Sequence, residues 1–122
     1  ASNTRDKALR RLEKDGDADT IRAKNARILN RAARGEITFD GRRPHALTDK
    51  EAASLMECQY TTAGARRNEL MGKSNAPPAY QAQPIVELYG ERYSYVADSG
   101  KKVSTFRLIP SLFPALSHQA SD

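Results

Sequence analysis

No tryptophan, a single cysteine, two methionines and two histidines occur among the 122 residues of this chain, and each scarcity removes a class of explanation. Cys58 alone leaves no disulfide within the chain and cannot by itself anchor a zinc site. His45 and His118 lie far apart, so no metal-ligand spacing is present and no metal or other cofactor is expected. Catalytic signatures are missing too: there is no glycine-rich phosphate loop, no nucleophile elbow and no His-Glu-x-x-His pair. Cys58 reads as a small buried hydrophobe, and His45, beside Pro44, as a surface residue at a helix entry. A non-enzymatic protein is expected. No apolar run approaches the roughly 20 residues of a membrane span. No charged-then-apolar signal segment opens the chain, and Ala1 suits a mature start after loss of an initiator methionine. A soluble intracellular protein without membrane contact is the expectation.

What the chain has in quantity is charge. Charged residues make up 29% and hydrophobic ones 39%, which suits one small domain of modest core with polar extensions. The net charge of +5 is unevenly placed: residues 1–34 hold ten Lys/Arg against five Asp/Glu, while residues 35–122 hold ten of each. Signs separate again within that neutral remainder. Arg66, Arg67 and Lys73 face only Glu69 in residues 60–75, and Lys101, Lys102 and Arg107 face only Asp98 in residues 98–107. Acids gather at Asp49, Glu51 and Glu57 and at Glu87 and Glu91. A basic face with an acidic back is the electrostatic footprint of a nucleic-acid binder, and mixed charge that merely solvates a surface is the alternative.

Three segments organise the chain: a basic arm or short helix over 1–18, a folded domain over 19–110 and a tail over 111–122. The arm carries Arg5, Lys7, Arg10, Arg11 and Lys14 with few apolar residues, and a helix this short is marginal in water. A firmer helix is predicted from Asp19 to Arg34, capped by Asp19 or Thr20, with Ile21, Ile28, Leu29, Ala32 and Ala33 as its apolar stripe and Gly35 as its stop. Ile37 and Phe39 suggest a short strand. Lys73–Gln83 has linker composition and reads as loop. From Ile85 to Leu108 apolar and polar residues alternate around Ser99-Gly100, which predicts a β-hairpin. Tyr89, Tyr93, Tyr95 and Phe106 on it read as packing, with base stacking as the rival. Leu112, Phe113, Ala115 and Leu116 are unusual for a solvated terminus and are expected to dock on the domain or on a second copy.

The segment Leu47–Lys73, LTDKEAASLMECQYTTAGARRNELMGK, reads as two helices joined by a tight turn. Thr48 and Glu51 form a capping box for the first, whose buried face is Ala52, Leu55 and Met56. Cys58-Gln59-Tyr60 makes the turn, Thr61 or Thr62 caps a second helix from Ala63 to Met71, and Gly72 ends it. This pair, followed by the hairpin, resembles the helix-turn-helix of small winged-helix DNA-binding proteins, including many short phage-encoded ones, over roughly residues 20–109. The long insert Lys73–Gln83 departs from that pattern, in which a few residues join recognition helix to wing.

The resemblance implies an α+β winged helix, with a three-helix core, a β-hairpin wing and a basic N-terminal arm. It implies a small transcriptional or replication-associated regulator of a phage or mobile element, working in the bacterial cytoplasm at the nucleoid. Its partner would be double-stranded DNA, with a homodimer as one possible assembly. On this reading Thr62, Gly64, Ala65, Arg66 and Asn68 approach base edges, with Arg66 forking to a guanine. Arg67 turns to phosphate or covers the core with its stem, and Lys73 is a further DNA-binding residue. Lys101 and Lys102 meet phosphate from the wing tip, or protect a strand edge. A protein-interaction module on the same fold, such as a virus-encoded inhibitor of a host protein or a virion component, is the second expectation.

Overall fold

The computed structural model describes residues 20–73, 75–97 and 100–113, so the N-terminal arm and residues 114–122 lie outside the described residues. It is an α+β arrangement. Among the described residues there are four helices, α1 (Ile21–Ala33), α2 (Asp49–Met56), α3 (Tyr60–Leu70) and α4 (Pro78–Ala82). One antiparallel hairpin of β1 (Val86–Tyr93) and β2 (Lys102–Leu108) follows, then a 3-10 turn at Pro110–Leu112.

Local sequence explains where the helices begin and end. The Thr20 hydroxyl accepts the Ala23 amide at the start of α1, and Gly35, at φ 74°, follows its end. The capping box of α2 is present in both directions: Glu51 N–H donates to Thr48 Oγ1 at 3.1 Å and Thr48 N–H to Glu51 Oε1 at 3.0 Å. α2 ends early, because Glu57 takes the left-handed conformation at φ 56°. The turn therefore holds only a few residues, and α3 begins at Tyr60 from a Gln59 cap. The predicted Thr61 or Thr62 cap is not used. Both threonines lie within the first turn of α3 instead, exposed.

The main core gathers Leu29 of α1, Leu47, Leu70 of α3, Ile85 and Val86, and Phe106 and Leu108 of β2. Full burial of an aliphatic side chain of this size contributes about 1.5–3 kcal/mol. A smaller cluster of Ala52, Ala53, Met56 and Ala63 joins α2 to α3, and Ile28 packs against both groups. Asn25, 1% exposed, gives its side-chain amide to the Ala63 carbonyl at 3.1 Å, so its buried NH₂ group is paired across α1 and α3. Leu55, expected on the buried face of α2, is 40% exposed and Ala53 takes its place. Small residues on α2 let it sit close to α3, where a leucine would hold the helices apart.

The insert after α3 is not loop throughout: its second half is helical. Pro77 and Pro78 start α4, and Tyr80, 1% exposed, enters the core. Gly72, at φ 78°, makes this possible: a Cβ there would stand 2.8 Å from the Tyr80 carbonyl oxygen. Ile85 N–H then donates to the Leu70 carbonyl at 3.0 Å, tying the end of α3 to the base of the hairpin.

Sheet pairing also differs from expectation. The residues around Ile37 and Phe39 form only a bridge within their own turn, Phe39 to Arg42. Leu47 pairs instead with Phe106, exchanging hydrogen bonds of 3.0 and 2.9 Å, so β2 is flanked on both sides and β1 is the outer strand. The β1–β2 register shifts between Leu88 and Gly90, which leaves Tyr89 without a partner residue. That bulge turns side chains outward. Leu88, Tyr89 and Tyr93 are 56%, 59% and 57% exposed, so the packing role expected of Tyr89 and Tyr93 is not the one they have, whereas Phe106 is buried. Tyr95 lies beyond the strand, half-buried. Leu112 and Phe113, placed in the tail from sequence, are buried in the core; Ala115 and Leu116 lie outside the described residues.

Candidate nucleic-acid interface

Helix α3 has only two fully buried side chains, Ala63 and Leu70, with Arg66 and Arg67 on either side of that line. Arg67 turns toward α2. Its guanidinium donates to both Asp49 carboxylate oxygens, from Nε at 3.0 Å and Nη2 at 2.7 Å, and lies 3.7 Å from the centre of the Phe106 ring. With its side chain 13% exposed, it clamps α2, α3 and the hairpin together. Of the two uses expected for Arg67, the structure has the core-covering one. The phosphate contact is corrected, because both ends of the fork are already satisfied.

Gly64 faces the same way. A Cβ there would meet Asp49 Oδ2 at 2.9 Å, so the glycine serves the approach of α3 to α2 rather than to an outside ligand. Arg66 leans the other way, toward α1. It reaches Glu69 at 3.4 Å, its Nε is buried without a partner, and its side chain is 40% exposed. Glu69 also accepts from Arg22 of α1 at 2.9 Å, so one carboxylate serves two guanidiniums.

The outward face of α3 is therefore centred on Thr61, Ala65 and Asn68, at helical spacing, with Thr62 beside it. Asn68 accepts from Arg67 Nη1 at 2.6 Å, which orients its amide and leaves the NH₂ group pointing away as donor. Lys73 is exposed just after the helix, and Lys101 and Lys102 are exposed where β2 begins. Lys102 sits 6.0 Å from the centre of the Tyr93 ring. Arg107, grouped with these lysines by sequence, is instead paired with Glu87 at 2.8 Å and stacked on Tyr89.

Between α3 and the hairpin runs a groove of about 510 Å³, bordered by the start of α2, Tyr60 of α3, and Val103 and Ser104 of β2. Its charged groups are engaged: Asp49 with Arg67, and Lys50 over the Tyr60 ring at 5.0 Å. The hairpin's angle to this groove is set by Glu51, which is fully buried. Its carboxylate accepts from Arg92 Nη1 at 2.6 Å and Nη2 at 2.7 Å, and from the Tyr95 amide at 2.7 Å. Arg92 is stacked on Tyr95 and also donates to the Ala46 carbonyl. Burial by itself raises the Glu51 pKa, but the Arg92 hydrogen bonds, the Tyr95 and Thr48 amides and the Arg92 charge outweigh it, and the carboxyl is held below its ordinary value. Sequence reading found the Glu51 capping role and missed this one, since nothing local marks a partner 41 residues away.

One further group was missed although its signal is in the sequence. Lys24, Arg27, Arg31 and Arg34 recur on α1 at spacings of three, four and three residues, which sets four cations on one face. No family model, curated protein or solved structure matches this chain. No helix among the described residues is long and apolar enough to cross a membrane.

Proposed function

We propose that this chain binds double-stranded DNA through α3 and the β1–β2 hairpin, arranged as a winged helix, and that it does so without catalysis. The observation that carries the reading is the pairing of two surfaces across one groove. One wall is the start of α2 with Tyr60 and Arg67 of α3, beside which the polar, small-residue outward face of that helix begins; the other is Val103 and Ser104, next along the strand from exposed Lys101 and Lys102. A helix bearing Thr61, Ala65 and Asn68 outward can come close to base edges, with the Asn68 amide as a reader and the Ala65 methyl as a thymine contact. Lysines on a flanking strand supply charge to phosphates, which carry no sequence information. A small transcriptional or replication-associated regulator of a phage or mobile element is the role this activity would serve.

The test is binding to selected and scrambled duplex over a salt series. Replacing Lys101 and Lys102 with alanine should weaken both duplexes alike and flatten the salt slope by about two. Asn68→Ala should cost roughly 1–3 kcal/mol on the selected site and little on the scrambled one. Absence of binding at low salt, or binding that ignores salt, overturns the reading. A protein-interaction module, such as an inhibitor of a host protein or a virion component, is then favoured by the exposed Leu88, Tyr89 and Tyr93 of the outer strand.

A further inference from the structure

The largest concentration of free positive charge in the described residues is not on α3 or the hairpin. Between Thr20 and Gly35 the chain has five basic residues and no acidic one. Arg22 turns inward to Glu69. The other four, Lys24, Arg27, Arg31 and Arg34, fall within an arc of about 80° around α1, at 100° per residue. Arg27, Arg31 and Arg34 are exposed and Lys24 is half-buried. Lys24, Arg27 and Arg34 have no ion-pair partner among the described residues, and Arg31 has only a loose one, Glu36 at 3.8 Å.

This arrangement works against the helix that carries it. Cations three and four residues apart repel and destabilise a helix by a few tenths of a kcal/mol per pair, and soluble surfaces ordinarily intersperse the two signs. A bound polyanion would remove that cost. The stripe also points away from α3. Arg22 and Asn25, the α1 side chains that bond α3, lie on the opposite half of the helix. A duplex held by α3 and the hairpin would leave these four cations uncovered.

We infer that the Lys24–Arg27–Arg31–Arg34 face of α1 is a second binding surface, which takes the phosphate backbone of double-stranded DNA independently of α3. The chemistry narrows the ligand to this class. The stripe has no apolar residue to insert into a lipid surface and no aromatic residue on which an unpaired base could stack. What it offers is a straight ridge of charge about 15 Å long, from the 1.5 Å rise of the helix. Such a ridge matches a regular row of phosphates and reads no base, so the contact is indifferent to sequence. A chain with two such faces can hold two duplex segments at once. The inference goes beyond the α3–hairpin reading and does not rest on it.

Sedimentation velocity with a short random-sequence duplex in excess tests this on the full chain. One variant carries Lys24→Gln, Arg27→Gln, Arg31→Gln and Arg34→Gln, three at exposed positions and one half-buried, each replaced by a good helix former. The other carries Asn68→Ala, Lys101→Ala and Lys102→Ala. Unchanged circular dichroism and melting temperature establish that each variant is folded. The expected result is two duplexes per chain for the parent and one for each variant, with the α1 site showing a salt slope of about three to four. If the parent binds one duplex and only the α1 variant loses it, the α1 assignment stands and the α3–hairpin reading falls. If only the other variant loses it, the α1 assignment is overturned. Loss in both would make them one surface, and no binding at all would remove both readings. Poly-glutamate displacing duplex from the α1 site as well as duplex itself does would assign the stripe to acidic polypeptide instead, and overturn the DNA assignment.

Discussion

Replacing Glu51 with glutamine changes one heavy atom and should lower the stability of the fold by several kcal/mol. The side chain is 0% exposed, and both carboxylate oxygens are filled by donors. Oε1 accepts from the Thr48 amide and Arg92 Nη2, and Oε2 from the Tyr95 amide and Arg92 Nη1. Whichever way a glutamine amide is turned, its NH₂ group meets two N–H donors. The Arg92 charge then loses its counter-ion, with the guanidinium only 25% exposed. Breaking a buried pair from one side costs about 3–5 kcal/mol, and the partial exposure of Arg92 argues for the lower end, roughly 3 kcal/mol. For a domain of this size that corresponds to about 12–24 °C in melting temperature, at about 4–8 °C per kcal/mol. Chemical denaturation of both proteins measures it directly. The pH dependence supplies a second check. Folding lowers the Glu51 pKa, so its contribution is full above the unfolded value, near 4.5, and is lost as pH falls through the folded one. The stability gap between parent and variant should therefore narrow as pH drops from 6 toward 3. A glutamine variant within about 1 kcal/mol of the parent at pH 7, or a gap that widens in acid, would refute the buried clamp.

Three further substitutions separate scaffold from surface. Arg67→Ala should destabilise by about 2–3 kcal/mol, because it breaks the bond to Asp49 and uncovers Phe106, whereas Ala65→Ser on the same helix should leave denaturant midpoints within about 0.5 kcal/mol; equal effects would mean that the orientation of α3 is misassigned. Gly72→Ala should cost more than about 1 kcal/mol, from both its positive φ and the 2.8 Å approach to the Tyr80 carbonyl, and a neutral result in thermal melts would show that α4 does not pack as described. A chain ended at Ser111 loses Leu112 and Phe113, buried to 6% and 3% exposure, and should be less stable by several kcal/mol; an equally stable truncated chain would place the domain boundary before them.

What the sequence determined by itself is whatever short-range chemistry controls. The Thr48–Glu51 box, the helix stops near Gly35 and Gly72 and the alternation of the hairpin each depend on residues within a turn or a pleat of one another. Which face of a helix points outward was legible only where the apolar stripe is broad. On α1 it is: of the five stripe residues Leu29, Ala32 and Ala33 are buried, and Ile21 and Ile28 are partly so at its edge. On α3 just two side chains are fully buried, and the sequence reading set Arg66 outward at the base edges while leaving Arg67 between phosphate and core. Tertiary structure decided both directions, through Asp49 and Phe106 on one side and Glu69 on the other. It likewise drew Tyr80 and Phe113 into the core from segments with linker and tail composition, because composition reports average solubility and not the one side chain a gap in the core can admit. The Glu51–Arg92 pair belongs to the same category. A buried charge must be neutralised, but which distant residue does so is set by the path of the chain between them.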